Sequence, residues 1–296
     1  MKLIRSLRAR SISATAARGL GAAVSLLVLA ACTTTVKQSI GQVEPVSRST
    51  TLGLKGELHV AQAAVDSGNL DLATTIYMQI VRANPDSVPG LTGLGDTLYL
   101  VGDYTRAGVY YSKALSIEPQ ALPAMTGNAR VAIRQRRLND AVDAYRRVLA
   151  LAPNDPVAAA GLGTALDMQG HHDEAQSVLR AALQVNPGDP RLETNLGLSL
   201  VMGGKPREGV NVLLDVTRFP AAPAEARQNL ALAYGMLGND EAAAEILNAD
   251  LPPKSTQDDL RYYAMQRTRL ARSQASAQAS AQATGKPAFA TEPKAQ

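Results

Sequence analysis

Small and large hydrophobic positions recur along most of the chain with a period of 34 residues, separated by short polar turns. Within each period a small residue is followed four positions later by a large one, and residues spaced by four share one face of a helix. A proline ends most periods, because the residue before a proline is pushed out of helical geometry. The pattern predicts two antiparallel helices per period, with the small residues at their contact. The columns are Ala61, Gly95, Ala129, Gly163, Gly197 and Ala231; Ala73, Ala107, Ala141, Ala175, Gly209 and Ala243; Tyr77, Tyr111, Tyr145, Leu179, Leu213 and Leu247; and Pro85, Pro119, Pro153 and Pro187.

One period, GLGDTLYLVGDYTRAGVYYSKALSIEP at 93–119, resembles the tetratricopeptide repeat, whose pattern is L-G-x2-Y…A-x3-F…P. The resemblance implies an all-α fold in which helix-turn-helix repeats stack as a right-handed superhelical solenoid. Six repeats fit the chain without an insertion. Their predicted boundaries are 54–87, 88–121, 122–155, 156–189, 190–223 and 224–257.

The turns and the C-terminal end complete the predicted fold. Five repeats have glycine between their two helices, where a left-handed residue closes the first helix. Repeat three has Arg136-Arg137 there, which predicts a looser turn. A capping box followed by an apolar stripe predicts a polar-faced capping helix over 255–272, and the low-complexity segment 273–296 is expected to be disordered.

The first 31 residues have the layout of a secretory signal. Basic residues lead into a 13-residue apolar stretch at 19–31, which is shorter than the roughly 20 residues that span a bilayer. The stretch ends in LAAC at 29–32, which resembles the lipobox of bacterial lipoproteins. The alternative is a chance cysteine in an ordinary cleaved signal.

The lipobox resemblance implies a lipid anchor. The signal would be cut after residue 31, and Cys32 would receive diacylglycerol on its sulfur and an acyl chain on its new amine. The polar segment 32–53 would then be a flexible tether. Thr33 is not the aspartate that retains many such lipoproteins at the inner membrane. An outer-membrane anchor facing the periplasm is therefore expected.

Removing this signal changes the charge of the chain. The full sequence has 30 basic and 26 acidic residues, and the signal holds five basic and no acidic ones, which leaves 25 and 26. A nearly neutral protein offers no electrostatic argument for nucleic acid as a partner. Cys32 is the only cysteine, so no disulfide is expected.

The sequence predicts no catalytic residues, metal site or cofactor, and no small-molecule substrate. The adjacent His171 and His172 fall in an inter-helix turn, with no cysteine and no helical i, i+4 partner to complete a metal site. No glycine-rich phosphate loop follows a strand, and the one cysteine is assigned to lipidation. The covalent lipid at Cys32 is the only non-protein group expected.

The face opposite the small-residue column of each first helix is the candidate binding surface. Residues about two positions beyond that column turn roughly 200° away from the core, and in arrays that this one resembles this face lines a concave groove. In the earlier repeats the face is polar, and in repeats five and six it is largely apolar. Its residues are Gln62, Asp96, Tyr99, Arg130, Arg134, Thr164 and Asp167, and then Thr194, Leu198, Val201, Met202, Gln228, Leu232 and Met236.

Two features of this face predict what it binds. Met168, Met202 and Met236 recur at intervals of 34 and form a ladder that either adapts to a partner or packs against neighbouring helices. Arg130 and Arg134 lie one turn apart and form either a carboxylate clamp or part of a solvated patch. That patch would also contain Arg136, Arg137, Arg146 and Arg147. A groove that is polar at one end and apolar at the other suits an amphipathic peptide or helix.

The combination of lipobox, polar tether, six repeats and short tail resembles the TadD lipoproteins of Tad (tight-adherence, Flp) pilus assembly systems. The resemblance implies a non-enzymatic assembly factor, a scaffold or pilotin that helps an outer-membrane secretin to localise or oligomerise. The expected partner is then a secretin or another pilus-assembly component. The alternative function is a periplasmic repeat lipoprotein that recruits or regulates a peptidoglycan enzyme.

Overall fold

The computed structural model describes residues 53–283, so the signal, Cys32, nearly all of the tether and the end of the tail lie outside the described residues. Over 53–283 the chain forms thirteen α-helices and no strand. In that range no helix is both long enough and apolar enough to cross a bilayer. The helices are α1 (Leu54–Asp66), α2 (Leu70–Ala83), α3 (Val88–Val101), α4 (Tyr104–Ile117), α5 (Leu122–Arg134), α6 (Leu138–Leu151), α7 (Pro156–Met168), α8 (His172–Val185), α9 (Pro190–Met202), α10 (Pro206–Thr217), α11 (Ala224–Leu237), α12 (Asp240–Asp250) and α13 (Pro253–Ala283).

Consecutive helices pair as antiparallel hairpins, and the hairpins stack into a helical-repeat solenoid, which confirms the predicted fold class. We call α1, α3, α5, α7, α9 and α11 the first helices, and the even-numbered α2 to α12 the second helices. First helices of neighbouring repeats contact each other, whereas over 53–283 second helices of neighbouring repeats do not. The first helices therefore lie on the inner, concave side of the solenoid.

Local sequence signals start and stop these helices. The Asp155 and Asp189 carboxylates each accept hydrogen bonds from two backbone N–H groups at the start of α7 and α9, at 2.8–3.0 Å. Such N-caps satisfy donors that have no partner within the helix. At the other end of the first helices, glycines such as Gly102 (φ 92°) adopt the left-handed geometry that an L side chain disfavours.

The turn of repeat three has the same geometry without glycine. Arg136 has φ 60° and is the only non-glycine residue with positive φ in the described range. Its N–H donates to the carbonyl of Ile133 at 3.0 Å, and the N–H of Arg137 donates to the carbonyl of Ala132 at 2.9 Å. The glycine turn of repeat two closes with the same two bonds, so the expectation of a looser turn was wrong. The left-handed geometry costs a non-glycine residue about 1–2 kcal/mol.

Tyrosine rings set into glycines join consecutive repeats. The fully buried Tyr111 ring lies between Gly95 of its own repeat and Gly127 of the next. A Cβ atom on Gly127 would approach the ring to 2.4 Å, which no side chain can do. Tyr145 meets Gly161 in the same way. The tyrosine column therefore packs against small residues of two repeats, not one, and holds the stack together.

The last helix, α13, covers the end of the solenoid by packing on both α11 and α12. Tyr263 is buried against Gly235, and the Arg267 guanidinium donates to the Asp240 carboxylate at 2.7 and 3.1 Å. The helix ends at Ala283, so both the predicted end at 272 and the predicted disorder of 273–283 are corrected. Alanine and glutamine favour helix, and the first strong breakers, Gly285 and Pro287, come later in the sequence.

Candidate functional site

An aromatic and basic cluster lies on the concave face of repeats two and three. We call Tyr99, Tyr104, Arg130 and Arg134 the Arg–Tyr cluster. The two rings lie 5.2 Å apart, and the guanidinium carbon of Arg130 is 4.8 Å from the Tyr99 ring centroid. Arg134 lies 5.7 and 5.8 Å from the two ring centroids, and its Nε donates to the Tyr99 hydroxyl at 2.9 Å. Stacking on aromatic faces holds both arginines in defined positions.

Arg130 is also tied to a carboxylate from the neighbouring repeat. Its Nη2 donates to Asp96 Oδ1 at 2.5 Å, and the Tyr111 hydroxyl donates to the same oxygen at 2.7 Å. Burial and the nearby Asp96 raise the pKa of Tyr111 far above its usual range. Burial lowers the pKa of Arg130, but Tyr111 and Asp96 outweigh this effect and raise it. The Arg130 charge is therefore balanced internally, while Arg134 contacts only neutral partners.

Beside this cluster an open cavity of about 910 Å³ lies on the concave side, bounded by residues of α3, α5, α7 and α9, by Tyr145 of α6 and by the turn after α5. We call it the basic cavity, because four arginines and no acidic residue line it. Within 53–283 the guanidinium groups of Arg136 and Arg191 make no hydrogen bond or ion pair. The lining residues are Tyr99, Arg130, Ile133, Arg134, Arg136, Tyr145, Val157, Ala160, Gly161, Thr164, Met168, Arg191 and Asn195.

The structure brings together most of the polar residues that the sequence assigned to the groove. Tyr99, Arg130, Arg134, Thr164 and Met168 line the basic cavity, and Asp96 lies beneath it, bound to Arg130.

Asp167 is an exception, because its side chain is only 14% exposed. Its Oδ1 accepts a hydrogen bond from Ser199 at 2.7 Å and lies 2.9 Å from His172 Nδ1. Burial raises the pKa of this carboxyl, against the lowering effect of the His172 and Ser199 hydrogen bonds. The placement of Asp167 in the groove is therefore corrected: it connects α7 to α8 and α9.

The apolar half of the predicted groove divides into accessible and packed residues. Met202 is 55% exposed, whereas Leu198, Leu232 and Met236 are half-buried, and the last two pack against the core beneath them. The methionine ladder therefore has one freely accessible member.

Two residues placed on this face are buried instead. Thr194 donates to the Pro190 carbonyl of its own helix, and Val201 packs where Gly209 has no side chain. Both placements are corrected, because α9 turns these positions toward neighbouring helices.

The arginines that the sequence grouped into one solvated basic patch lie on two separate surfaces. Arg136 lines the basic cavity. Arg137 pairs with Asp140 at 2.8 Å and Arg146 with Glu174 at 2.6 Å on the second helices. Arg137, Arg146 and Arg147 lie together on another surface, away from the basic cavity.

Sequence reasoning missed several cavity residues, among them Val157, Arg191 and Asn195. Val157 and Arg191 lie in the first turns of α7 and α9, and Asn195 lies in the second turn of α9, next to the predicted Thr194. A signal was present, because positions 157, 161, 164 and 168 follow the spacing of one helical face. Extending the face of Thr164 and Met168 back to the helix start would have found them, and the 34-residue period then leads from 157 to 191 and from 161 to 195.

In the described part of the chain, no three His, Cys, Asp or Glu side chains cluster in a way that could hold a metal ion. His172 is engaged with Asp167, and His171 lies exposed at the start of α8.

Stacked helix pairs with an open inner groove define a helical-repeat scaffold, a class that uses its concave surface for binding. Profiles of the tetratricopeptide repeat match residues 61–122, 98–166 and 132–197. Residues 61–197 therefore match the tetratricopeptide repeat, and the described range has the fold of a tetratricopeptide-repeat solenoid. Domains of this kind bind protein partners and are typically non-enzymatic scaffolds.

Solved structures share this fold at low sequence identity. A tetratricopeptide repeat protein from Parabacteroides merdae is 15% identical, with TM-score 0.62, over 73% of this chain and 86% of that one. A thermophilic repeat protein of Thermus thermophilus is 25% identical, with TM-score 0.53, over 60% and 98%. PilW, described as a widely conserved type IV pilus biogenesis factor, is 18% identical, with TM-score 0.60, over 67% and 93%. A comparison with curated proteins found no match.

Proposed function

We propose that the protein is an outer-membrane lipoprotein that acts as a non-enzymatic scaffold or pilotin in Tad/Flp pilus assembly and secretion. Its groove would bind a peptide or helix of a secretin or another assembly component. The lipid on Cys32 would hold the solenoid at the periplasmic face of the membrane. The observation that carries the binding role is the open concave face, with the basic cavity across repeats two to five and Met202 exposed at the end of α9.

The groove is suited to a partner that is itself amphipathic. The basic cavity offers guanidinium groups, two of them stacked on tyrosine rings, and Met202 offers a flexible thioether that adapts to apolar shapes. A helix or extended peptide that crosses several repeats can contact both. The assignment to pilus assembly rests on the lipobox and on the arrangement of tether, repeats and tail. The likeness to PilW supports the fold, and its pilus role is a property of that protein.

Deleting the gene tests the biological role. We expect the mutant to lose surface pili and to mislocalise the secretin, because both would depend on the scaffold. Electron microscopy of the cells and immunoblots of membrane fractions measure these outcomes. Normal piliation together with co-purification of a peptidoglycan synthase or hydrolase would instead favour the cell-wall alternative.

Met202→Ala tests the apolar end of the groove. Because Met202 is largely exposed, we expect a change in stability within about 0.5 kcal/mol. We expect partner capture to fall clearly, measured in cells by the yield of crosslinks from a photoreactive residue at position 198.

Met265→Ala on α13 is the matched control, because Met265 is 62% exposed and lies outside the groove. Equal crosslink yields in the two variants would remove Met202 from the binding surface.

A further inference from the structure

We infer that the basic cavity is a binding site for carboxylates on an acidic segment of the protein partner, and that Arg136 determines this specificity. The inference deepens the proposed function, since it rests on the groove being the partner-binding face. Three separate observations carry it: the charge of the cavity, the backbone geometry of Arg136 and the character of the cavity walls.

The charge of the cavity is uncompensated. Within the described residues, Arg130 is the one lining arginine of the four that has a carboxylate partner. Arg134 donates to a tyrosine hydroxyl, and over 53–283 the Arg136 and Arg191 guanidinium groups make no hydrogen bond or ion pair. Three unpaired cations around one cavity attract an anion, and guanidinium groups bind carboxylates with two parallel hydrogen bonds.

The backbone at Arg136 is strained, and a glycine at this position would relieve the strain. The equivalent turns of the other five repeats have glycine with φ between 77° and 92°. Arg136 adopts the same left-handed geometry at φ 60°, with the same closing hydrogen bonds. Arg136 makes the turn less stable, and its side chain lines the cavity with no internal partner. It therefore stabilises nothing in the free protein, and we assign it the role of binding a ligand.

The cavity walls indicate an acidic peptide rather than a nucleic acid backbone. Thr164 and Asn195 are polar and lie at the side of α7 and α9, while Ile133, Val157 and Met168 supply apolar surface between the arginines. Asn195 is held by hydrogen bonds to Ala160 and Thr164 at 3.2 and 3.3 Å, so this wall is rigid. Acidic side chains interspersed with aliphatic ones match such a surface, whereas a phosphate backbone would leave the apolar walls without contact.

The test uses the full chain purified in detergent and a fluorescein-labelled 12-residue peptide with glutamates and leucines on opposite helical faces. A second peptide with glutamine in place of every glutamate is the matched ligand. Fluorescence anisotropy at low salt should show the glutamate peptide binding at least about tenfold more tightly, since several charge-assisted contacts add. The difference should shrink at 0.5 M salt, because the cavity is open to solvent.

Variants separate the cavity from general electrostatics. Arg191→Gln and Arg136→Gly should each weaken binding of the glutamate peptide about three- to tenfold. Arg136→Lys should bind the glutamate peptide with more than half of the affinity of the unchanged protein, because lysine keeps the positive charge. Arg207→Gln removes one charge from the exposed side of α10 and should leave binding unchanged.

Arg136→Gly has a second readout that a purely structural role would not produce. Relief of the left-handed strain should raise its Tm by about 2–4 °C while binding falls. A Tm at or below that of the unchanged protein overturns the argument from strain.

Equal affinity for the two peptides, or loss of binding in Arg207→Gln alone, overturns the site. Tighter binding of a single-stranded DNA 12-mer, lost in the same arginine variants, overturns the choice of carboxylate. These results are independent of the Met202 crosslinks, so the cavity can fail while the groove remains the partner-binding face.

Discussion

Replacing Tyr111 by alanine is expected to destabilise the solenoid by about 3–5 kcal/mol, the range for removing a large buried aromatic side chain. The ring has no exposed surface and fills the space between Gly95 and Gly127, neither of which has a side chain that can move into the cavity. Its hydroxyl also donates to Asp96, which holds Arg130. The free energy of unfolding measured by urea denaturation, with helix content as the probe, gives the size of the effect.

Two further variants separate the contributions of the ring and the hydroxyl. Tyr111→Phe keeps the packing and removes the hydroxyl that donates to Asp96 and accepts from Arg130, so we expect a loss of about 1.5–3 kcal/mol, the range for hydrogen bonds to charged groups. Tyr262→Ala on α13 is the control for a tyrosine that is 49% exposed, and a change within about 0.5 kcal/mol is expected. If Tyr111→Ala unfolded at the same urea concentration as Tyr262→Ala, the ring would not be joining the repeats.

The architecture could be predicted from the 34-residue periodicity because every repeat packs its two helices, and its neighbours, in the same way. A small residue on one helix and a large one on its partner define the helix pair, and 34-residue spacing forces equivalent pairs to stack. Even the substitution of Arg136 for glycine did not change the turn, since the two closing hydrogen bonds are made by backbone groups. The end of α13 was predicted less well, because low complexity indicated disorder where the composition of alanine and glutamine favours helix.

The site was less predictable because it depends on which neighbour each side chain meets. The face of α7 considered alone placed Asp167 in the groove. In the structure its carboxylate contacts Ser199 of α9 and His172 of α8 and is largely buried. Likewise the pairing of Arg130 with Asp96 joins residues 34 positions apart in different repeats, and nothing in either helix alone indicates it. Contacts between repeats thus decide which charges remain available, and they leave Arg134, Arg136 and Arg191 free of acidic partners.

The proposed anchor would strengthen binding in the groove. A scaffold and a partner held at the same membrane meet more often than they would in solution, because the tether raises the effective concentration of the groove near the partner. A groove of moderate affinity then binds more of the partner. As a flexible coil, the polar segment 32–53 would be long enough to allow the solenoid to turn without leaving the membrane surface. Losing the anchor should therefore reduce partner capture even when the groove is unchanged.

Replacing Cys32 by serine is expected to remove the proposed lipid anchor and to leave the signal uncleaved. Each buried methylene contributes about 0.8 kcal/mol, one acyl chain gives only marginal binding, and two or more give stable anchoring. A serine oxygen is not the thiol that the lipobox pattern requires, so both lipidation and the cleavage that follows it should stop. Labelled palmitate should enter the unchanged protein and not Cys32→Ser, and on a gel Cys32→Ser should migrate as the longer chain that keeps residues 1–31. Thr34→Ser, two residues away, keeps the lipobox and should remain membrane-bound. Palmitate in the Cys32→Ser protein would place the lipid elsewhere, and a Cys32→Ser chain as short as the cleaved protein would show that cleavage does not depend on Cys32.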